Sequence, residues 1–191
     1  MPKLWSATVE GHRQEVREAI LDAVGELVMS QGVLALSMST VAEASGIGRA
    51  TLYKYFRDTE ELLAAWHERH VSVHLAALGA LAEDEDDQAK RLRKVLVAYA
   101  HICQQRHRHG AGEVIAALHR GERAAALRAQ LLSLVARVIA EAAAVGLARG
   151  DVPANEFAAF SVNALEAATE TSSDVALARL VDLVLSGLRP G

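Results

Sequence analysis

Apolar residues recur at spacings of three and four along almost the whole chain and nowhere alternate in twos, so the pattern predicts helices and no strands. Gln14–Ser30 carries Val16, Ile20, Ala23, Val24, Leu27 and Val28 on one face, an amphipathic first helix that Gly32 ends. Met1–Gly11 before it reads as a loose arm. Val33, Leu34 and Leu36 follow as plugs for a small three-helix head. Ser37 opens a short helix over Met38–Ser45 whose apolar edge is Met38, Val41 and Ala42. Gly46, Ile47 and Gly48 then turn a tight corner, with both glycines free to take positive φ. From Arg49 the pattern is helical again: Leu52 and Phe56 share a face, while Arg49, Ala50, Thr51, Tyr53 and Lys54 point elsewhere.

Beyond the joint at Arg57 and Asp58, Thr59 opens a long helix to about Leu81 with a stripe of Leu62, Leu63, Trp66, His70, Val73, Ala77 and Leu81. His70 and His74 lie on or beside that stripe and read as hydrogen-bonded core histidines. Glu83–Asp87, EDEDD, reads as a solvated linker. Gln88–Gln105 turns Leu92, Val95, Leu96, Tyr99, Ile102 and Cys103 inward, Arg106–Gly110 is a frayed helix end, and Gly112–His119 is a short helix that Gly121 closes. Glu122–Arg149 bears Leu127, Leu131, Leu134, Val138, Ala142 and Val145, with Arg149 and Gly150 as its end. Asn155–Thr171 carries Phe157, Phe160, Ala164, Leu165 and Ala168, and Ser173–Leu188 carries Leu177, Leu180, Val181, Val184 and Leu188. The expected fold class is all-α, a three-helix head followed by a helical body.

Two short helices around a glycine corner suggest a helix-turn-helix, whose second helix enters the major groove while the first braces against the backbone. The residue types suit contact with a duplex, since Arg49 can bond guanine bidentately, and Ala50 and the Thr51 methyl can pack on a thymine methyl. Tyr53 and Lys54 suit phosphates. Taken alone, the same residues also fit a helical hairpin with solvated polar side chains. The run TVAEASGIGRATLYKYF, however, closely resembles the DNA-binding signature of the TetR family of transcriptional regulators, including the Leu-Tyr-x-x-Phe block that closes the recognition helix. The close likeness spans Gln14 to about Leu63 with order and spacing kept.

What the resemblance implies is concrete. Residues 1–57 would be the helix-turn-helix DNA-binding domain, and 58–191 an all-helical effector-binding and dimerisation domain. The candidate DNA-contacting set is Ser39, Thr40, Gly48, Arg49, Ala50, Thr51, Tyr53 and Lys54. The protein would bind a palindromic double-stranded DNA operator as a homodimer joined through its last two alanine-rich helices, act as a repressor, and be released by a small effector. Trp66, His70, Tyr99, Ile102, Cys103 and Phe160 are the candidate effector lining, an apolar set with a few polar tips that suits an apolar or aromatic ligand. The long helix from Thr59 would then be the lever between cavity and head. Two departures from the family pattern stand out. Gly48 occupies a position that commonly holds a serine or threonine cap, and Thr59 with Glu60 replaces a lysine–glutamate pair, leaving Arg57 as the nearest substitute for the lysine's phosphate contact. They motivate an alternative reading, a helical small-molecule or metal-binding protein that no longer reads DNA.

Composition adds bounds. The 191 residues are 51% hydrophobic with a net charge of −4, which argues against indiscriminate nucleic-acid binding. Within Ser39–Arg57, however, three positive side chains face one negative one, and local charge is what a phosphate feels. Cys103 is alone, which excludes an internal disulfide and points to a reducing compartment. Met1–Gly11 has no apolar core of a signal peptide, and Leu131–Ala148 is interrupted by Arg137 and Glu141, so a cytoplasmic protein without a membrane span is expected. No triad ordering, phosphate-cradling loop, paired carboxylates or metal-ligand spacing can be picked out. Neither an enzyme nor a resident cofactor or metal is expected.

Overall fold

The computed structural model describes residues 3–84, 87–108, 122–171 and 173–190. In chain order they form α1 (Lys3–Gln31), a 3₁₀ turn (Val33–Ala35), α2 (Met38–Ser45), α3 (Arg49–Leu52), α4 (Thr59–Glu83), α5 (Gln88–Arg108), α6 (Glu122–Ala144), α7 (Ala154–Leu165), a second 3₁₀ turn (Glu166–Glu170) and α8 (Asp174–Leu188). Among the described residues there is no strand, as the apolar spacing requires. The expected helix Gly112–His119, its closing Gly121, and parts of the frayed end and the acidic run (His109, Gly110, Glu85, Asp86) lie outside the described residues.

The chain divides into two compact units, and the division falls inside α4 between Arg69 and His70. The first unit contains α1, α2, α3 and α4 as far as Arg69. Its core is Ile20, Leu21, Val24 and Val28 of α1, Val41 of α2, Leu52, Phe56 and Leu62. The expected stripe on α1 is thus the buried one, but α1 begins at Lys3 and absorbs the segment read as an arm. Lys3–Glu10 contains no glycine or proline, and a single helical Gly11 costs only about 1 kcal/mol. Of the three expected plugs Val33 is buried, whereas Leu34 is 86% exposed, because the 3₁₀ turn sends successive side chains in different directions.

The second unit holds one continuous core built from α5, α6, α7 and α8 with Leu78 and Ala82 of α4. Leu92, Val95, Leu96, Tyr99 and Cys103 face inward on α5, and Leu177, Val181, Val184 and Leu188 do so on α8, as their spacing predicts. Corrections concern helix ends and one stripe. α6 stops at Ala144 rather than Arg149, because Gly146 takes φ 76° and Leu147 N–H bonds the Ala142 carbonyl at 2.9 Å, a left-handed cap that leaves Val145 58% exposed. Asp87, read as part of a solvated linker, instead caps α5 by accepting from the amides of Ala89 (3.0 Å) and Lys90 (3.1 Å). On α4 the buried stripe follows Leu62, Leu63 and Trp66 and then shifts by one position to His67, Leu78 and Ala82. His70 and Val73 are therefore exposed, one helical step (about 100°) away from the face assigned to them.

Ion pairs join the helices of this second unit, the first of them partly buried and the others exposed. Arg91 reaches Glu141 at 2.8 Å, Arg137 reaches Glu83 at 2.8 Å, Arg93 reaches Asp182 at 2.7 Å and Arg128 reaches Glu166 at 2.9 Å. Exposed pairs of this kind contribute at most about 1 kcal/mol each, so the apolar core carries the packing.

Candidate nucleic-acid interface and the helical body

The corner at residues 37–56 is built from its caps. Ser37 has extended backbone, and its Oγ accepts from Thr40 N–H at 3.1 Å while the Thr40 Oγ1 accepts from Ser37 N–H at 2.9 Å, a reciprocal capping box. Thr40 is thereby occupied in starting α2, and Ser39 beside it is exposed. At the other end Gly46 takes φ 68°, ψ 12°, and Ile47 N–H bonds the Ala42 carbonyl at 3.2 Å. Only Gly46 uses the positive φ open to both glycines, and Gly48 sits at φ −59°, ψ 140°, a region open to any residue. Gly48 caps α3 with no side-chain bond, as its lack of a hydroxyl dictates.

α3 is a single α-turn, Arg49–Leu52, which then tightens: Lys54 N–H bonds Thr51 O at 2.9 Å and Tyr55 N–H bonds Leu52 O at 3.0 Å before Phe56 N–H returns to Leu52 O at 3.1 Å. The segment sorts its side chains as the sequence predicts. Leu52 and Phe56 are buried, while Gly48, Arg49, Ala50, Thr51, Tyr53 and Lys54 are all exposed. The Arg17 guanidinium lies 5.4 Å from the Phe56 ring centroid, a cation–π contact that seats α1 on the end of the segment.

α4 starts on a second cap. Asp58 accepts from Glu61 N–H and from Arg57 Nε, both at 2.8 Å, and Glu61 Oε2 accepts from Arg57 N–H at 2.8 Å. The Glu61 amide, then Arg57, hold the Asp58 carboxyl below the usual carboxylate range, and Asp58 in turn raises Arg57. The nearest substitute for the missing lysine is thus already bonded to a neighbouring carboxylate. Two long-range contacts lie outside what local pattern reveals. Arg69 bonds Glu18 and Asp22 of α1, each at 2.8 Å, and a Cβ on Gly25 would meet Trp66 Nε1 at 3.2 Å. Only the tertiary structure pairs positions about fifty residues apart.

The candidate effector residues separate. Trp66 is buried in the first unit against Gly25. Tyr99 and Cys103 are buried in the core of the second unit, with Ile102 packed at its margin on the same α5. Phe160 is 50% exposed with its ring over Gly187, and His70 is exposed with its Nε2 3.0 Å from that of His74. A groove of about 350 Å³ between α4 and α6 is lined instead by Ser72, Leu75, Ala76, Gln130 and Leu134, residues that, Leu134 apart, no sequence signal singled out. Among the described residues, the hydroxyl of Ser161, fully buried on α7, meets no hydrogen-bond partner. On α7 and α8, Phe160, Val175 (68%) and Leu183 (69%) expose large apolar side chains. Among the described residues no helix is long and apolar enough to cross a membrane.

Comparison with known proteins fits this geometry. The family model for bacterial regulatory proteins of the tetR family matches residues 20–66, and that for the C-terminal domain of SbtR-like transcriptional regulators matches residues 94–190. The HTH-type transcriptional regulators AcrR of Shigella flexneri and TtgR of Pseudomonas putida are 31% and 33% identical over 85 and 88 residues, 44% of this chain in each case. The HTH-type transcriptional activator FasR of Mycolicibacterium smegmatis is 29% identical over 87 residues. The chain spans about 40% of the length of these relatives. Among solved structures, a TetR-family transcriptional regulator from Pectobacterium atrosepticum aligns with a TM-score of 0.78 at 22% identity, covering 95% of this chain and 97% of that one. A TetR/AcrR-family regulator from Thermobifida fusca aligns with a TM-score of 0.73 at 21% identity, covering 91% and 98%. These likenesses share the all-helical fold.

Proposed function

The chain belongs to the TetR family of bacterial regulatory proteins, a family of transcriptional regulators rather than enzymes, and from that premise we propose that it is a homodimeric, ligand-responsive repressor. The observation that carries the reading is the sorting of the α3 segment: its two large apolar side chains are buried and Arg49, Thr51, Tyr53 and Lys54 are exposed, next to a corner fixed by a left-handed Gly46. Residues 1–57 would serve as the DNA-binding domain and the rest as the effector-binding and dimerisation domain. Arg49, Ala50 and Thr51 would read base edges, with Ser39, Thr40, Gly48, Tyr53 and Lys54 at the phosphates.

Exposed Phe160, Val175 and Leu183 on α7 and α8 support pairing through these two helices, where a second copy would cover them. A two-fold dimer presents its recognition segments to half-sites about 34–36 Å apart, so a palindromic operator is expected. The effector would be an apolar or aromatic small molecule held in the second unit, with Tyr99, Ile102 and Cys103 of α5 as lining. Because α4 contributes to both units, a ligand that displaces its later turns would act on the head and lower operator affinity.

Selection of genomic fragments on the purified protein, followed by gel shift with two variants, tests the reading. Arg49→Ala should weaken operator binding by about 1–3 kcal/mol and relax one base position, while Lys54→Ala should weaken all sequences alike and flatten the salt dependence. No sequence-preferring fragment, or equal losses on every sequence for both variants, would overturn it.

A further inference from the structure

His70 and His74 meet on the outer side of α4, with Nε2 atoms 3.0 Å apart and rings edge to face at a centroid separation of 4.4 Å. The four-residue spacing stacks the two side chains one helical turn apart, on a regular element that fixes their separation. Two imidazole nitrogens this close hold one proton between them, the N–H of one ring donating to the lone pair of the other. Moving that proton to the Nδ1 of its own ring, the other neutral tautomer, leaves an Nε2 lone pair on each imidazole. A metal ion bound about 2.0–2.1 Å from each imidazole nitrogen needs those nitrogens about 2.9 Å apart for right-angle coordination and about 3.3 Å apart for tetrahedral coordination. The observed separation falls between the two, so rotation of the rings is what remains to aim both nitrogens at one ion.

We infer that His70 and His74 form a two-imidazole chelate for a divalent late first-row transition metal, with Cu²⁺ held more tightly than Zn²⁺. Imidazole ligands select this class over Mg²⁺ and Ca²⁺, which require oxygen donors. Histidines at this spacing on one helix face are also how other helices begin a zinc site. Among the described residues no third histidine, cysteine, aspartate or glutamate joins them in a metal-binding group. Binding holds both rings in the tautomer protonated at Nδ1 and clamps one turn of α4, immediately after Arg69, whose ion pairs to Glu18 and Asp22 belong to the first unit.

The test is calorimetric titration of the tag-free full chain with Cu²⁺ and separately with Zn²⁺, on wild type, His70→Gln, His74→Gln and the control His12→Gln. The expected result is one tight Cu²⁺ equivalent that either α4 variant weakens at least about tenfold, since losing even a supporting partner of a ligand costs 10–100-fold. Zn²⁺ should bind the same site more weakly, and the His12 control should titrate as wild type. Copper spectra should carry the signature of two equatorial nitrogens in wild type, and amides just after His70 should exchange more slowly with metal bound. Circular dichroism checks that each variant keeps its helices. Wild-type copper affinity in either α4 variant, or full competition by Mg²⁺, overturns the inference.

Discussion

The corner that presents the α3 segment can be probed at two glycines two residues apart, for which the structure predicts opposite outcomes. Gly46 sits at φ 68°, and no heavy atom lies within 4 Å of where its Cβ would be, so Gly46→Ala meets no clash and its cost is torsional. A left-handed conformation costs an L-residue about 1–2 kcal/mol. The stiffer unfolded chain returns about 0.4–1 kcal/mol, leaving a net loss near 1 kcal/mol. Gly48 lies at φ −59°, ψ 140°, also with open space around its Cβ, so Gly48→Ser is unstrained. It gains a side-chain cap worth a few tenths of a kcal/mol and the same unfolded-state term, for a net gain of up to about 1 kcal/mol. Thermal and urea unfolding should move in opposite directions, each by about 2–4 °C for a chain of this size. Gly46→Asn serves as the internal control, because asparagine tolerates the left-handed region and should recover much of the alanine loss. Shifts of the same sign for Gly46→Ala and Gly48→Ser, or an asparagine variant as unstable as the alanine one, would refute the assignment of the two backbone conformations.

Other outcomes follow from the same contacts. Leu52→Ala, at a fully buried position, should destabilise by about 2–5 kcal/mol and abolish operator binding with it, as read by urea unfolding and gel shift. Gly25→Val places branched atoms against Trp66, whose Nε1 would already lie 3.2 Å from a Cβ, and should cost about 1–3 kcal/mol with a shift in tryptophan emission measured in a Trp5→Phe background. Arg69→Gln removes two partly exposed ion pairs and should cost about 1 kcal/mol, less at high salt, in thermal unfolding. Asp58 and Asp87 cap α4 and α5 with carboxyls held below their usual range, chiefly by the amides of Glu61 and Lys90. Their contribution should be complete above the unfolded carboxylate pKa of about 3.9 and fade as pH falls through the lower folded values. Helicity followed in acid titration should therefore drop less steeply in Asp58→Asn, which keeps an acceptor but does not titrate.

The helical fold and the head's inner and outer residues were legible from the sequence because each follows from local rules. Burial of Ile20, Val24, Leu52, Phe56, Leu96 and Val181 comes from the period of the helix, and the corner at Gly46 comes from the one residue that enters left-handed backbone cheaply. Helix ends were less legible: Gly146 rather than Gly150 closes α6, since the choice depends on which glycine can also return amides to the preceding turn. What periodicity could not decide is which neighbour claims each face of a long helix. α4 rotates its buried stripe by one position after Trp66, which places His70 in solvent beside His74 instead of in the core. Pairings such as Arg69 with Glu18, and Gly25 under Trp66, join positions whose separation along the chain carries no periodic signal, so only packing in three dimensions selects them.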